Sequence, residues 1–187
     1  DSIDWSKIRA YEHSMEGAAK GCVERYFELF GETVDSRKPV ATPCMDDSLF
    51  TEEEFTQKGG LEKQASKAVL KCLYMSRLAG PELLWTVNTL ARKVTKWNIA
   101  SDKRLKRLIS YIYWKQHDVI VSFVGDEAKD CELVLFCDAS FAGDLEDSKS
   151  RGGCFLALIG PNTFAPLTWI CKKQGAISKS SAEAELV

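Results

Sequence analysis

The chain of 187 residues is 45% hydrophobic and 28% charged, with a formal net charge of −2. This composition supports one or two domains with buried cores and argues against disorder. No run approaches the roughly 18 consecutive apolar residues of a membrane span, and Asp1-Ser2-Ile3-Asp4 lacks the basic-then-apolar pattern of a secretory leader. The expectation is an intracellular protein, cytoplasmic or nuclear, with no membrane partner.

Seven cysteines and two histidines, spread without a C-x-x-C pair, argue against a zinc site and a disulfide framework and fit a reducing compartment. Most cysteines, Cys137 and Cys154 among them, sit in apolar surroundings and are expected as small buried hydrophobes. The absence of an initial Met, and an end at Glu185-Leu186-Val187 inside a helical pattern, read as cut ends of a longer chain.

Charge is segregated. Residues 1–60 are acidic on balance, whereas Arg92, Lys93, Lys96, Lys103, Arg104, Lys106, Arg107 and Lys115 face Asp102 as the single acid of their stretch. Such a distribution matters more than the total where the partner is a polyanion.

In chain order, Ala18, Cys22, Val23, Tyr26 and Leu29 recur at helical spacing from Met15 to Phe30, and Gly31 supplies a stop. Residues 33–60 carry Pro39, Pro43, Glu52-Glu53-Glu54 and Gly59-Gly60, a composition that predicts an irregular, solvated connector. A second helix is predicted from Leu61 to Leu78, and Pro81 opens a third with Leu84, Val87, Asn88, Ala91 and Val94 on its apolar stripe. A fourth starts with Ser101 or Asp102 as N-cap and buries Leu105, Leu108, Ile109 and Ile112.

After Gln116 the period becomes strand-like. Val119 to Val124 and Glu132 to Cys137, separated by Gly125-Asp126, predict a hairpin. Further strands follow over Gly152 to Ile159 and Pro166 to Cys171, and the S-x-x-E pattern of Ser180 and Glu183 starts a helix at Ser181. The fold class is α+β: helices first, then strands, then a helix.

Chemistry concentrates in two places. Asp138 ends an apolar strand and is followed by small residues, and Glu185 lies in the first turns of the last helix. Carboxylates fixed on rigid elements are what metal-dependent phosphodiester hydrolysis requires. Taken singly, Asp138 is also an ordinary turn former and Glu185 an ordinary solvated acid. Cys44-Met45-Asp46-Asp47 is similar to a Tyr-x-Asp-Asp polymerase motif but lacks the flanking apolar strands that motif needs.

The runs DASFAGDLEDSKSRGG, LTWICKKQ and SKSSAEAEL, in that order, resemble the RNase H portion of copia-type retrotransposon polyproteins. Upstream, LYMSRLAGPE, VNTLAR, RLISYI, CVERY and VATP are similar to the same family's segments between polymerase and nuclease, so the resemblance covers residues 9–187. It implies the end of a polymerase palm region and linker over 1–60, a helical thumb or connection segment over 61–117, and the first half of a mixed-sheet RNase H-like domain over 118–187. It further implies cleavage of the RNA strand of an RNA–DNA hybrid with two Mg²⁺ (or Mn²⁺) ions. Asp138 and Glu185 then stand as the first two catalytic, metal-binding acids, with the other two beyond Val187, so that this chain alone is inactive.

Ser180 and Ser181 fall where relatives contact the hybrid backbone. Arg92, Lys96, Lys103, Arg104, Arg107, Lys172 and Lys173 are candidates to bind the hybrid or a template–primer duplex. The remaining partner is the rest of the Pol polyprotein. Gly80, Glu82, Ser140-Phe141 and Arg151-Gly152 depart from the family pattern without removing a ligand. Two further functions stand beside the nuclease: a non-catalytic nucleic-acid-binding remnant using the basic helices 92–115, and a helical protein-interaction module.

Overall fold

A computed structural model describes residues 5–31, 38–140 and 149–186. The chain forms two compact units, residues 14–118 and the flanking segments 1–13 with 119–187. Residues 14–31 and 38–60 therefore belong to the same unit as the helices that follow them.

The helical unit contains α1 (Glu16–Phe30), α2 (Glu52–Thr56), α3 (Glu62–Ala79), α4 (Leu84–Arg92) and α5 (Ile99–Trp114). Its core is the set of periodic apolar positions: Cys22, Val23 and Tyr26 of α1, Val69 and Cys72 of α3, Val87 and Leu90 of α4, and Leu105, Leu108, Ile109 and Ile112 of α5. Gly31 ends α1 in the left-handed region (φ 65°), its N–H bonded to the Phe27 carbonyl at 2.9 Å, a backbone shape that glycine adopts without penalty.

Two details of this unit correct the sequence expectation. The acidic run Glu52-Glu53-Glu54 is helical, as α2, because Thr51 N–H donates to the Glu54 carboxylate (3.1 Å) in a capping box. The N-cap of α5 is Asn98, whose side-chain oxygen accepts from Ser101 N–H at 2.8 Å. Asp102 lies in the first turn and serves other partners: it accepts from the Trp97 indole N–H (2.6 Å), from Gly60 N–H (2.6 Å) and from Leu61 N–H (3.2 Å), the last two at the start of α3. The connector runs so close to α5 that a Cβ on Gly59 would lie 2.5 Å from the Asn98 carbonyl oxygen.

The sheet unit contains β1 (Arg9–Ser14), β2 (Val119–Val124), β3 (Glu132–Ser140), β4 (Arg151–Gly160), β5 (Thr163–Lys173) and α6 (Ser181–Leu186). The strand order is β1-β2-β5-β4-β3, and the β2–β5, β5–β4 and β4–β3 pairings are antiparallel. The α+β class holds. The parallel component of a mixed sheet is not among the pairings with a defined register.

The predicted hairpin of the runs at 119 and 132 does not form, since β2 pairs with β5 and β3 stands at the far edge. Gly125-Asp126 is occupied elsewhere. Both N–H groups donate to Thr163 Oγ1 (3.1 Å each), and the Asp126 carboxylate accepts from Asn162 N–H (2.7 Å) and Nδ2 (3.0 Å), so the segment clasps the β4–β5 turn. Leu133, Leu135 and Phe136 of β3 are exposed, as is the Cys137 thiol, contrary to its expected burial. Among the described residues no helix is long and apolar enough to cross a membrane.

Candidate nuclease cleft

β3, β4 and β5 present their ends together. Cys137 pairs with Cys154, Asp138 with Gly153 and Ala139 with Gly152; on the next strand Gly153 stands opposite Cys171 and Gly152 opposite Lys172. The small residues leave room, and a cleft of about 360 Å³ opens there. Asp138 and Glu185 both line it, together with Lys172 and Lys173. The two acids predicted from their order along the chain therefore share one site, separated by 47 positions in sequence (185 − 138).

α6 reaches the sheet through residues that the sequence did not single out. Gln174 N–H donates to the Ser150 carbonyl (2.9 Å), its Nε2 donates to the Ala184 carbonyl, and its Oε1 accepts from Ser178 Oγ (3.0 Å). Ala184 and Ser178 are buried. Gln174 thus fastens α6 to the strand ends one residue before Glu185. The available signal was the glutamine closing the LTWICKKQ run.

Ser180 accepts from Glu183 N–H (3.1 Å), while the Glu183 carboxylate accepts from Lys179 N–H (2.7 Å) rather than from the cap residue itself. The capping expected of Ser180 and Glu183 is present, displaced by one residue on its return half. Ser181 is exposed at the start of α6.

One cation of the predicted basic patch turns inward, and two more are engaged by the acidic connector. Arg104 is only 4% exposed, pairs with Asp47 and lies 4.7 Å from the Phe50 ring centroid and 5.8 Å from that of Phe55. Lys103 pairs with Glu54, and Arg107 donates to the Thr42 carbonyl (2.9 Å) and hydroxyl (3.1 Å). The acidic connector is the local partner of this helix, which removes Arg104 from the surface cations. Trp97 is buried and bonded to Asp102, so it is core rather than a stacking platform. Arg92 and Lys96 lie exposed at the end of α4 and in the turn after it. Asp46 and Asp47 serve as the cap of a 3-10 turn and as the Arg104 partner, which accounts for both without polymerase chemistry.

Among the described residues no group of three or more potential metal ligands occurs. The pair Asp138 and Glu185 nevertheless suits Mg²⁺ in kind. This ion takes hard oxygen donors, commonly one or two carboxylates, and fills the rest of its octahedron with water and substrate phosphate.

No protein-family model and no solved structure matches the chain. Its curated relatives include Pol polyproteins of retrovirus-related transposons. It is 28% identical over 153 residues to the retrovirus-related Pol polyprotein from transposon RE2 of Arabidopsis thaliana, a match covering 79% of this chain and 10% of that protein. To the corresponding polyprotein from transposon RE1 it is 26% identical over 151 residues, with the same coverage. An uncharacterized mitochondrial protein of the same plant is 24% identical over 119 residues, 64% of this chain and 47% of its own length. The motif resemblance to a retrotransposon Pol polyprotein is thus supported along most of the chain, and the chain spans about a tenth of the length of those polyproteins.

Proposed function

We propose that the sheet unit supplies the opening half of an RNase H site in a retrotransposon Pol polyprotein, with Asp138 and Glu185 as its first two metal-binding carboxylates. The observation that supports this reading is the shared cleft: two acids from different elements border one opening that Gly152 and Gly153 help to line, with Lys172 and Lys173 beside them. In the parent, the site hydrolyses the RNA strand of an RNA–DNA hybrid. Two Mg²⁺ ions, when bound, supply activation of water and stabilisation of the leaving oxygen. Asp138 and Glu185 hold an ion, Gln174 positions the helix that carries Glu185, and Lys172 and Lys173 attract the phosphate backbone. Two carboxylates bind a divalent ion weakly, so the 187-residue chain alone is expected to cleave nothing.

Titration with Mn²⁺, followed by the electron paramagnetic resonance of the free ion, tests this. One weak site is expected, tightened by an RNA–DNA hybrid and lost in both Asp138→Asn and Glu185→Gln. Unchanged Mn²⁺ affinity in the two variants overturns the assignment.

A further inference from the structure

Cys137 and Cys154 are direct partners across the β3–β4 ladder, one step from the Asp138–Gly153 pair, and their sulfurs are 3.0 Å apart. Cys137 is exposed and Cys154 half-buried, and both border the cleft. A second thiol pair supplies an internal contrast. Cys22 and Cys72 hydrogen-bond to each other inside the helical core, where they are 1% and 0% exposed. Two neighbouring thiols can serve a soft metal or a redox couple. Zinc needs four ligands, and among the described residues no third ligand joins this pair.

We propose that Cys137 and Cys154 form a redox-active dithiol that exchanges with small-molecule disulfides and closes into a cross-strand disulfide beside the cleft. Directly opposed residues of an antiparallel pair have Cα atoms about 4.5–5.5 Å apart, inside the range of about 4.4–6.8 Å that a disulfide spans. Exposed disulfides are the readily reduced, regulatory kind.

The steps balance. The Cys137 thiol loses its proton to solvent, and the thiolate attacks one sulfur of the small disulfide, expelling one small thiolate and leaving a mixed disulfide. The deprotonated Cys154 sulfur then attacks Cys137 Sγ, forming the protein disulfide and expelling the second small thiolate. Two protein thiols are oxidised, and one small disulfide is reduced to two thiols. Cys137 stands open to solvent, whereas Cys154 is half-buried. That makes Cys137, the exposed member, the sulfur that meets the reagent, and Cys154 the resolving one.

The new bond ties β3 to β4 one residue before Asp138 and so restrains the strand end. Any control this exerts on catalysis rests on the nuclease reading, whereas the thiol chemistry stands by itself.

The folded chain is incubated with glutathione buffers of graded oxidised-to-reduced ratio, quenched with an alkylating agent, and mapped by peptide mass. The expected product is a peptide pair linked through Cys137 and Cys154, two hydrogens lighter than the reduced pair, with Cys22 and Cys72 still alkylatable after unfolding. Hydrogen exchange at Asp138–Ser140 should slow on oxidation. In Cys154→Ser, Cys137 should stop at the mixed glutathione disulfide; in Cys137→Ser, no linkage should form. The wild-type result decides without the variants. Alkylated or merely glutathionylated Cys137 and Cys154 throughout the titration, or a link from Cys137 to Cys131 or Cys171, overturns the proposal. Linkage with unchanged Mn²⁺ binding in Asp138→Asn keeps the dithiol and removes only the metal site.

Discussion

Arg104 and Asp47 form an ion pair that fixes the acidic connector to α5, with the guanidinium over the rings of Phe50 and Phe55. The pair is unequal. The Arg104 side chain is 5% exposed and the Asp47 side chain 37%. Removing Asp47 strands a buried cation, at a cost of about 3 kcal/mol. Arg104→Met keeps an apolar stem against the rings and leaves Asp47 open to water, so it should cost about 1 kcal/mol or less. Urea unfolding of Asp47→Ala and Arg104→Met should separate them in that order, and equal costs would contradict the asymmetry.

Asp102 gathers three donors, the Trp97 indole N–H and the backbone N–H groups of Gly60 and Leu61. Asp102→Ala leaves the Trp97 indole N–H unpaired in the core and the start of α3 uncapped, a loss of about 2–4 kcal/mol. Trp97→Phe deletes one of the three bonds and should cost less from hydrogen bonding, with a packing loss added. A double-mutant cycle between the two positions checks the coupling, expected at about 1 kcal/mol or more.

Asp126 has its carboxyl held below the ordinary range, first by the Thr163 hydroxyl and then by Asn162. A folded pKa below the unfolded one means that the unfolded state binds protons first on acidification. The stabilisation is therefore complete above the unfolded pKa of about 3.9 and is lost as pH falls through the folded value. Denaturation midpoints across that window should fall more steeply for the wild type than for Asp126→Asn. Parallel acid limbs for the two proteins would remove Asp126 from the account.

Gln174 holds α6 through the Ala184 carbonyl. Gln174→Ala should raise hydrogen exchange at Ala184 and Glu185 while β2 and its partner stretch of β5 remain as protected as before. If α6 keeps its protection, the helix is seated by other contacts and Gln174 has no positioning role.

What the sequence disclosed was local. The stripe of Leu105, Leu108, Ile109 and Ile112, the stop at Gly31 and the start at Ser180 all follow from spacing and from groups within four residues. The misreadings were long-range. Asp102 looks like a cap for its own helix, but its acceptors are taken by groups 41 and 42 residues away. Val119–Val124 has the pattern of a strand and nothing that says which neighbour it takes; Thr163, 37 and 38 residues on, decides by claiming Asp126 and Gly125. Arg104 belongs to a basic run that looks solvated until Asp47 is brought to it.

The proposal for Asp138 and Glu185 needed order along the chain as well as pattern, because each acid has an adequate local explanation alone. Gln174 was missed since a glutamine carries no charge signal. Its importance lies in a carbonyl ten residues ahead.

β1 and β2 are neighbours in one sheet although the whole helical unit lies between them in sequence. Within that unit the two extremities also meet, His117 Nδ1 lying 3.2 Å from Glu16 Oε1. The helices thus form an insertion whose entry and exit are side by side. Closing a loop of some hundred residues between two strands is entropically slow. An insert that folds first and brings its own ends together reduces that loop to a short one. Destabilising the helical unit is therefore expected to slow the pairing of β1 with β2 more than it weakens the finished sheet.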